Sequence, residues 1–435
     1  MKTCMESTKV VAIIFQSVSL AAFAAVEPLF PTGCETVTLL PEAQRRIMAL
    51  ETYDGRLSAL RKDREDGCGV YFGNEDARWR TSSPLVLKWL ATDGEKGPWR
   101  IAMGEGEAFR KPMTWWVEDK DIKTWKTGRG VAHEWEVPRP NLELGRTYCW
   151  KVWSDVKCTA GHAHGSMMLG ACAVCGKKSK VRESTVASFS TDPQPPRWIA
   201  VEGRVKNIRD LGGWKTIDGR HVRQGMAYRG QGLNDNSPNG DAPGRNRLMV
   251  EDVAYLKNVL GIKTELDLRN GREIAGLTCS PLGEGVRYIQ RAAPLYDGIF
   301  EEVSNQPDWA GAEGKKAMAA NFRVFCDERH YPIYFHCIGG ADRTGSLAYV
   351  LNGILGVPKH DLEVDWESTF YPKLPELEPN YSGPKFWRRK QYFDEGFSKY
   401  GDRDTPWNER IHLYLLDCGV TDAEIEKFRS IMLER

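Results

Sequence analysis

One ten-residue loop limits the possible folds of this chain more than any other feature does, because an apolar strand pattern precedes it and an apolar helix pattern follows it. Tyr331–Phe335 has the composition of a buried strand, and Ser346–Leu355 has that of a buried helix. The loop between them contains two glycines that permit a tight backbone path, and the following helix would direct its positive end at the loop. This order predicts an α/β domain with an anion-binding loop after a strand. The loop reads His336-Cys337-Ile338-Gly339-Gly340-Ala341-Asp342-Arg343-Thr344-Gly345.

The cysteine in this loop is placed to act as a nucleophile. Backbone N–H groups and a helix N-terminus favour the thiolate form of Cys337. The guanidinium of Arg343 matches two oxygens of a phosphate group, and the hydroxyl of Thr344 can donate a hydrogen bond to the sulfur. We expect His336 to order the loop through its ring nitrogens. The residues predicted to bind phosphate are Ile338, Gly339, Gly340, Ala341, Asp342 and Arg343.

The loop resembles the Cys-x5-Arg-Thr signature of cysteine-based tyrosine and dual-specificity phosphatases, and most of all an atypical bacterial branch that reads His-Cys-x-x-Gly-x-Asp-Arg-Thr-Gly. Asn207–Gly213, Asp267–Arg269 with Glu273, and Gly419–Phe428 resemble further motifs of that branch. The resemblance covers residues 200–435. It implies a tyrosine-phosphatase-like α/β catalytic domain, a cysteinyl-phosphate intermediate, no cofactor for catalysis, and a phosphorylated protein or small phosphoester as substrate.

Two aspartates are candidates for the general acid that the resemblance implies. Asp342 lies inside the loop, next to the arginine, and is the proposed acid of the atypical branch. Asp297 follows the predicted strand Val286–Ile289, where dual-specificity phosphatases carry a mobile acid loop. We favour Asp342 and keep Asp297 as the alternative.

The loop also bears on the choice of substrate. Relatives that act on phosphoinositides often have lysine at the position of Ala341, which adds charge for further phosphates. Phosphotyrosine or a similar phosphomonoester is therefore the first expectation, and phosphoinositides or inositol phosphates are the second. A surface binding protein with a degenerate phosphatase fold is the alternative from another class.

The preceding region, residues 71–192, has the alternation of short strands. Leu85–Leu90, Val131–Val137 and Tyr148–Trp153 alternate with period two. The stretch Leu142–Trp150 resembles the tyrosine corner of fibronectin type III domains, which predicts an all-β sandwich. Nine of the 15 tryptophans lie between Trp79 and Trp153, and we expect most to fill the sandwich core.

An insertion at residues 156–183 of this sandwich carries potential metal ligands. The Cys-Ala-Val-Cys spacing suits a zinc site, whereas an oxidising compartment would favour a disulfide. The sequence therefore leaves open a structural zinc site, a disulfide pair or a simple flexible loop here. The candidate residues are Cys158, His162, His164, Cys172 and Cys175.

The N-terminus predicts the compartment. Residues 1–24 have basic residues, an apolar stretch and an Ala-x-Ala end, as a secretory signal peptide does. We therefore expect a periplasmic or secreted protein with no membrane span after cleavage. Residues 25–70 have a helical pattern that opens at Pro41, and the proline-rich residues 193–199 are predicted to be a linker before the catalytic domain.

Net charge excludes one class of partner. The chain has 60 Lys+Arg against 59 Asp+Glu, a net charge of +1. A general nucleic-acid binder needs a basic surplus to neutralise phosphates, so no nucleic-acid partner is expected.

Overall fold

The computed structural model describes residues 26–33, 35–56, 58–59, 83–92, 97–154, 167–168, 171–172, 182–234, 247–274, 276–293, 311–371 and 393–434. They form two compact units, and each is discontinuous in sequence. The β unit takes its described residues from Met1–Val37, Pro84–Pro138 and Arg146–Thr191; the α/β unit takes them from Thr38–Ser83, Arg139–Gly145 and Asp192–Arg435. The predicted signal peptide lies outside the described residues. Within them, no helix is long and apolar enough to cross a membrane.

The described residues of the β unit form two larger sheets and one small two-stranded sheet. One sheet has the strand order β1-β3-β7-β6; the other has β2-β12-β8-β4-β5, with β11 also paired to β8; β9 and β10 pair separately. All pairings are antiparallel except that of β2 with β12. The strands are β1 Val26–Phe30, β2 Glu35–Val37, β3 Val86–Ala91, β4 Trp99–Glu105, β5 Arg110–Val117, β6 Lys123–Thr127, β7 Gly130–Glu136, β8 Thr147–Ser154, β9 Met167–Met168, β10 Ala171–Cys172, β11 Arg182–Glu183 and β12 Ala187–Thr191.

Tryptophans fill the space between the two larger sheets, as their clustering predicts. Trp89 of one sheet and Trp99 of the other are fully buried, with ring centroids 5.4 Å apart. The buried ring of His133 stacks on Trp89. Trp116 is 45% exposed, because neighbouring residues of a strand face opposite sides of its sheet. The likeness of this unit to a fibronectin type III domain remains a prediction.

The α/β unit is built on a mostly parallel five-stranded sheet with the order β13-β14-β17-β15-β16. Its strands are β13 Arg209–Asp210, β14 Ala227–Gly230, β15 Thr264–Asp267, β16 Arg287–Gln290 and β17 Ile333–His336. Its helices are α1 Glu42–Met48, α2 Val250–Ala254, continued by a π-helical turn Tyr255–Val259, α3 Gly311–Val324, α4 Arg343–Ile354, α5 Lys359–Glu367, a short helix at 393–398, α6 Trp407–Asp417 and α7 Asp422–Met432.

The central strand β17 is buried on both faces. Phe335 packs in one apolar cluster and Tyr334 in another, on opposite sides of the sheet. Strands covered on both faces read as continuous apolar runs, which is why the sequence predicts this strand correctly. In open α/β sheets, ligands bind beyond the carboxyl ends of the strands, and the loop that begins at Cys337 lies at that end of β17.

Two stretches of the predicted domain organisation differ from the structure. Residues 25–70, predicted to be a helical segment, begin with strands β1 and β2 of the β unit. Helix α1 starts at Glu42, directly after Pro41, where the predicted helical pattern opens. Residues 193–199, predicted to be a linker, belong to the α/β unit. Arg197 and Trp198 in this stretch are buried, and Arg197 forms an ion pair with Asp210 at 2.9 Å.

Arg56 ties the N-terminal part of the α/β unit to helix α5. Its guanidinium is fully buried and donates from Nε and Nη2 to Glu367 at 2.6 and 2.9 Å. Glu363 and two backbone carbonyls accept its remaining N–H groups. Because Glu367 is itself buried, the pair holds two charges away from water.

Replacing Arg56 with Met should lower the free energy of unfolding of the α/β unit by about 3–5 kcal/mol, because Glu367 is left as a buried charge without its partner. Urea unfolding followed by circular dichroism at the helix band measures this change. Arg329→Met is the matched control: Arg329 forms an exposed ion pair with Asp327, so its loss should change the free energy of unfolding far less. Equal, small losses in both variants would contradict the assignment.

Candidate active site

The predicted loop runs from the end of β17 to the start of helix α4. Cys337 is the first residue after the strand and is buried, with 2% exposure. Helix α4 begins at Arg343, with Asp342 at its N-cap position. The thiol therefore lies at the carboxyl end of a strand and the amino end of a helix, as the sequence predicts.

The surroundings of Cys337 favour its thiolate. Burial alone would raise the pKa of the thiol, but Arg343, the hydroxyl and N–H of Thr344 and the N–H of Gly340 more than offset burial, so the pKa lies below its ordinary value. A thiolate is the nucleophilic form of cysteine. The site is thus prepared for attack on an electrophile.

Three successive carbonyl groups of the loop, those of Ile338, Gly339 and Gly340, are held from outside the loop. The N–H of Gly232 donates to the Ile338 carbonyl at 3.1 Å. The Asn207 amide donates to the Gly339 carbonyl at 3.2 Å, and Arg229 donates to the Gly340 carbonyl at 3.0 Å. Because the N–H and C=O of a trans peptide point in opposite directions, the N–H groups that follow these carbonyls turn towards the inside of the loop. They form a concave anion-binding surface.

Two arginines that hold this arrangement share one carboxylate. Asp365 of α5 accepts from Arg229 at 2.6 Å and from Arg209 at 2.9 Å. Burial would raise the pKa of Asp365, but the two arginines lower it overall. Arg209 also donates to Asn207, so the same cluster fixes the side chains that bind the loop carbonyls.

Arg343 is fixed by a second carboxylate. Its Nη1 and Nη2 donate to the two oxygens of Glu273 at 2.5 and 2.9 Å. Its Nε is buried and has no hydrogen-bond partner among the described residues. This donor is therefore free to bind an oxygen of an anion held in the loop.

Gly340 has the one backbone conformation in the loop that requires glycine. Its φ is +68°, and a Cβ added there would lie 2.3 Å from the carbonyl oxygen of Gly230. An alanine at this position would therefore force the backbone of Gly230 or of the loop itself to move.

The other predicted site residues divide into those that the structure describes and those that it does not. His336, Thr344 and Ala341 are buried and Asp342 is half-buried, all at the loop. The Asp342 side chain makes no capping hydrogen bond to the helix. Asp297 lies outside the described residues, as do the proposed zinc ligands Cys158, His162, His164 and Cys175; of Cys172 only the backbone is described, in β10.

Several supporting residues were not predicted as site residues: Asn207, Arg229, Glu273 and Asp365. Asn207 and Glu273 belong to motifs that resemble the family, so for these two a signal was present without a role attached to it. Asp365 had no such signal, because its partners are 136 and 156 residues away in sequence.

The central strand of the sheet ends at a buried cysteine in a loop whose amides turn inward, an arrangement that suits attack on a bound phosphoester. Comparison with known proteins agrees. The sequence model of the tyrosine phosphatase family matches residues 199–434. The chain belongs to the tyrosine phosphatase family, and it is a hydrolase that acts on phosphomonoesters.

Two similar proteins illustrate the match. A Cupriavidus necator protein named "Putative tyrosine-protein phosphatase" is 26% identical over 204 residues, which is 42% of this chain and 69% of that protein. The core catalytic domain of a PP-IP phosphatase from S. cerevisiae, solved with citrate, aligns with a TM-score of 0.22 and 12% identity, over 38% of this chain and 88% of that chain. A similarity as low as the second carries no argument about fold or substrate.

Replacing Gly340 with Ala should reduce kcat/KM for a phosphomonoester by at least about 100-fold, because the loop must move to relieve the contact with Gly230 and its amides then lose their alignment. Steady-state kinetics with an aryl phosphate measures this. Gly128→Ala is the control, since a Cβ there meets no atom within 4 Å. Full activity of the Gly340 variant would contradict the role assigned to the loop backbone.

Proposed function

We propose that this protein is an exported, cysteine-dependent phosphatase that hydrolyses phosphotyrosine or a similar phosphomonoester through a cysteinyl-phosphate intermediate. One observation carries the proposal: the buried thiol of Cys337, its pKa lowered, lies in a loop in which the carbonyls of Ile338, Gly339 and Gly340 are bound from outside, so that the amides after them turn inward. Family membership supports the reaction class. Export rests on the signal peptide predicted at residues 1–24.

In the first step the thiolate of Cys337 attacks phosphorus, and the bond from phosphorus to the leaving oxygen breaks. A carboxylic acid gives its proton to the leaving alkoxide or phenoxide, which departs as an alcohol or phenol. The loop amides and the free Nε of Arg343 bind the phosphoryl oxygens, whose charge the loose transition state spreads over three atoms. Glu273 keeps the guanidinium in the orientation that this requires.

In the second step the same carboxylate takes a proton from water, and the water oxygen attacks the phosphorus of the cysteinyl-phosphate. The sulfur–phosphorus bond breaks, inorganic phosphate leaves, and the thiolate is restored. The hydroxyl of Thr344 stabilises the departing sulfur by a hydrogen bond. The carboxylate that protonates the leaving group thus regains its proton from water, and the proposal assigns no cofactor to the reaction.

Replacing Cys337 with Ser should lower kcat for 4-nitrophenyl phosphate by at least about 10³-fold, because an alcohol is far less ionised than this thiol. Activity of the wild type in EDTA should be unchanged. Rapid quenching followed by mass spectrometry should find one phosphate on the peptide that contains Cys337. The exposed Cys279 provides the control, Cys279→Ser, which should retain full activity.

Unchanged hydrolysis by the Cys337 variant would reject the cysteine mechanism. A panel of a phosphotyrosine peptide, a phosphoserine peptide and inositol phosphates then separates the substrate classes. We expect the highest kcat/KM for the phosphotyrosine peptide, because Ala341 adds no charge for further phosphates. A preference for inositol phosphates would select the alternative substrate class.

Replacing Asp342 with Asn should lower kcat more for a phosphotyrosine peptide than for 4-nitrophenyl phosphate, because nitrophenoxide leaves readily without a proton. Asp297→Asn provides the matched comparison. The aspartate whose removal creates the larger difference between the two substrates is the general acid. A dependence on Asp297 alone would reject the assignment to Asp342.

The proposed mechanism assigns no role to the β unit or to its insertion. We propose that residues 156–183 hold either a structural zinc ion or a disulfide, with Cys158, His162, His164, Cys172 and Cys175 as candidates. Metal analysis and thiol counting on the purified protein distinguish the two.

A further inference from the structure

One face of the larger sheet of the β unit carries a row of stacked aromatic rings and cations. The guanidinium carbon of Arg100, on β4, lies 4.5 Å from the ring centroid of Trp153 and 5.7 Å from that of Trp116. The ammonium of Lys151 lies 4.7 Å from the ring centroid of Trp153 and 5.7 Å from that of Phe109. We call these five residues the stacked face.

Strand pairing explains why these side chains share one side of the sheet. Arg100 is directly opposite Trp116 of β5 and Trp153 of β8, and residues opposite each other point to the same side. Lys151 precedes Trp153 by two residues on β8, so it points the same way. The other side of β4 faces the core, where Trp99 is fully buried.

The turn between β4 and β5 makes this face concave. Phe109 in the turn has a φ of +48°, which is rare for a bulky side chain. A Cβ added at Gly104 of β4 would lie 2.6 Å from the Cα of Phe109, so glycine allows the turn to lie directly on the sheet. A cavity of about 450 Å³ results, a size typical of ligand sites. It is lined by Arg100, Ala102, Phe109, Thr114, Lys151 and Trp153.

The guanidinium of Arg100 has a donor that the protein does not use. Its Nε is buried and has no hydrogen-bond partner among the described residues. Guanidinium donors lie in the plane of the group, so stacking on rings leaves their edge open to an acceptor. Because a buried donor without an acceptor costs free energy, an anionic oxygen bound here would stabilise the site.

The charge of the cavity limits the class of anion. Its lining contains two cations and no carboxylate, and Glu183 outside the lining forms an ion pair with Lys151. One positive charge, that of Arg100, is left for a ligand. It matches a carboxylate with a single negative charge better than a phosphate monoester, which carries about −1.5 to −2.

The aromatic rings indicate what carries the carboxylate. Phe109 and Trp153 line the cavity, and the neighbouring Trp116 is 45% exposed. Flat rings of this kind bury the C–H face of a sugar while its hydroxyl groups stay at the edge. A peptide cannot add as a strand here, because β4 and β8 are interior strands with neighbours on both sides.

We propose that the cavity on the stacked face binds an acidic saccharide, whose carboxylate pairs with Arg100 while its sugar rings pack on Phe109 and Trp116. This binding site goes beyond the proposed phosphatase reaction, which assigns no role to the β unit. It gives the β unit a ligand of its own.

A stack that only stabilises the sheet is the competing interpretation, since cation–π contacts form across strands without any ligand. Such a stack requires neither a cavity nor a left-handed Phe109, and that conformation costs free energy. The two interpretations differ in a measurable way, because a purely structural stack binds no saccharide.

Isothermal titration calorimetry on the full chain tests the proposal with three acidic probes: the trimers of galacturonate and mannuronate, and a hyaluronan tetrasaccharide. We expect at least one to bind with one site per chain, at least about tenfold more tightly than its uncharged methyl ester, because the charged hydrogen bond to Arg100 is lost in the ester. Binding should weaken with added salt. No binding by any probe at millimolar concentration, or equal binding of acid and ester, would overturn the proposal.

Variants locate the binding. Arg100→Gln should weaken binding of the acid by at least about tenfold and leave little difference between acid and ester. Trp116→Ala should weaken both. Trp125→Ala is the matched control: Trp125 is 43% exposed on the other sheet, with the Lys88 ammonium 6.0 Å from its ring, and should bind as the wild type does. Equal losses in the two tryptophan variants would overturn the proposal.

Two further readouts separate this site from the phosphatase. Hydrolysis of 4-nitrophenyl phosphate should be the same in the Arg100 and Trp116 variants as in the wild type, so a failed phosphatase proposal leaves the binding test intact. Circular dichroism shows whether each variant is folded; if Arg100→Gln is not, the exposed Trp116 and the salt dependence still decide. A phosphotyrosine peptide that binds the Cys337→Ser variant through Arg100, where no saccharide binds, would overturn the proposal in favour of substrate docking.

Discussion

The buried carboxylate of Asp365 is the interaction on which the site depends. It accepts from Arg229 and Arg209, which have no exposed surface. Burying three charged groups costs desolvation free energy that only close, well-directed hydrogen bonds offset. Arg229 binds this carboxylate and also donates to the Gly340 carbonyl of the loop. The carboxylate on helix α5 therefore determines which way that peptide group of the loop faces.

The thiol is thus stabilised from several sides by groups that never touch a substrate. Glu273 aligns Arg343, and Glu265 meets the histidine that precedes the nucleophile. These carboxylates lie beside a site that binds an anion, where isolated negative charge would repel the ligand. Glu273 is matched with the Arg343 guanidinium at hydrogen-bond distance, and so it acts by orienting that cation.

Local sequence patterns predict the parts of this arrangement that are local. The apolar run of β17, the loop and helix α4 follow one another in the chain, so the sequence predicts all three. The alternating stretches Leu85–Leu90 and Val131–Val137 likewise predict strands β3 and β7. Patterns of this kind carry no information on partners far apart in sequence, such as Arg56 and Glu367, which are 311 residues apart. The short strands β1 and β2 were missed because they are defined by backbone pairing with β3 and β12, which lie far away in the sequence.

The interleaving of the two units has a consequence for how the chain folds during synthesis. The α/β unit begins before most of the β unit has been made, and it ends at the C-terminus. The β unit has all its strands once Thr191 has emerged, so it can fold first, as N-terminal units generally do. Arg56 has no Glu367 to pair with until helix α5 has been synthesised, so residues 38–56 cannot complete their packing before then. A fragment limited to the family match at 199–434 would lack Arg56 permanently.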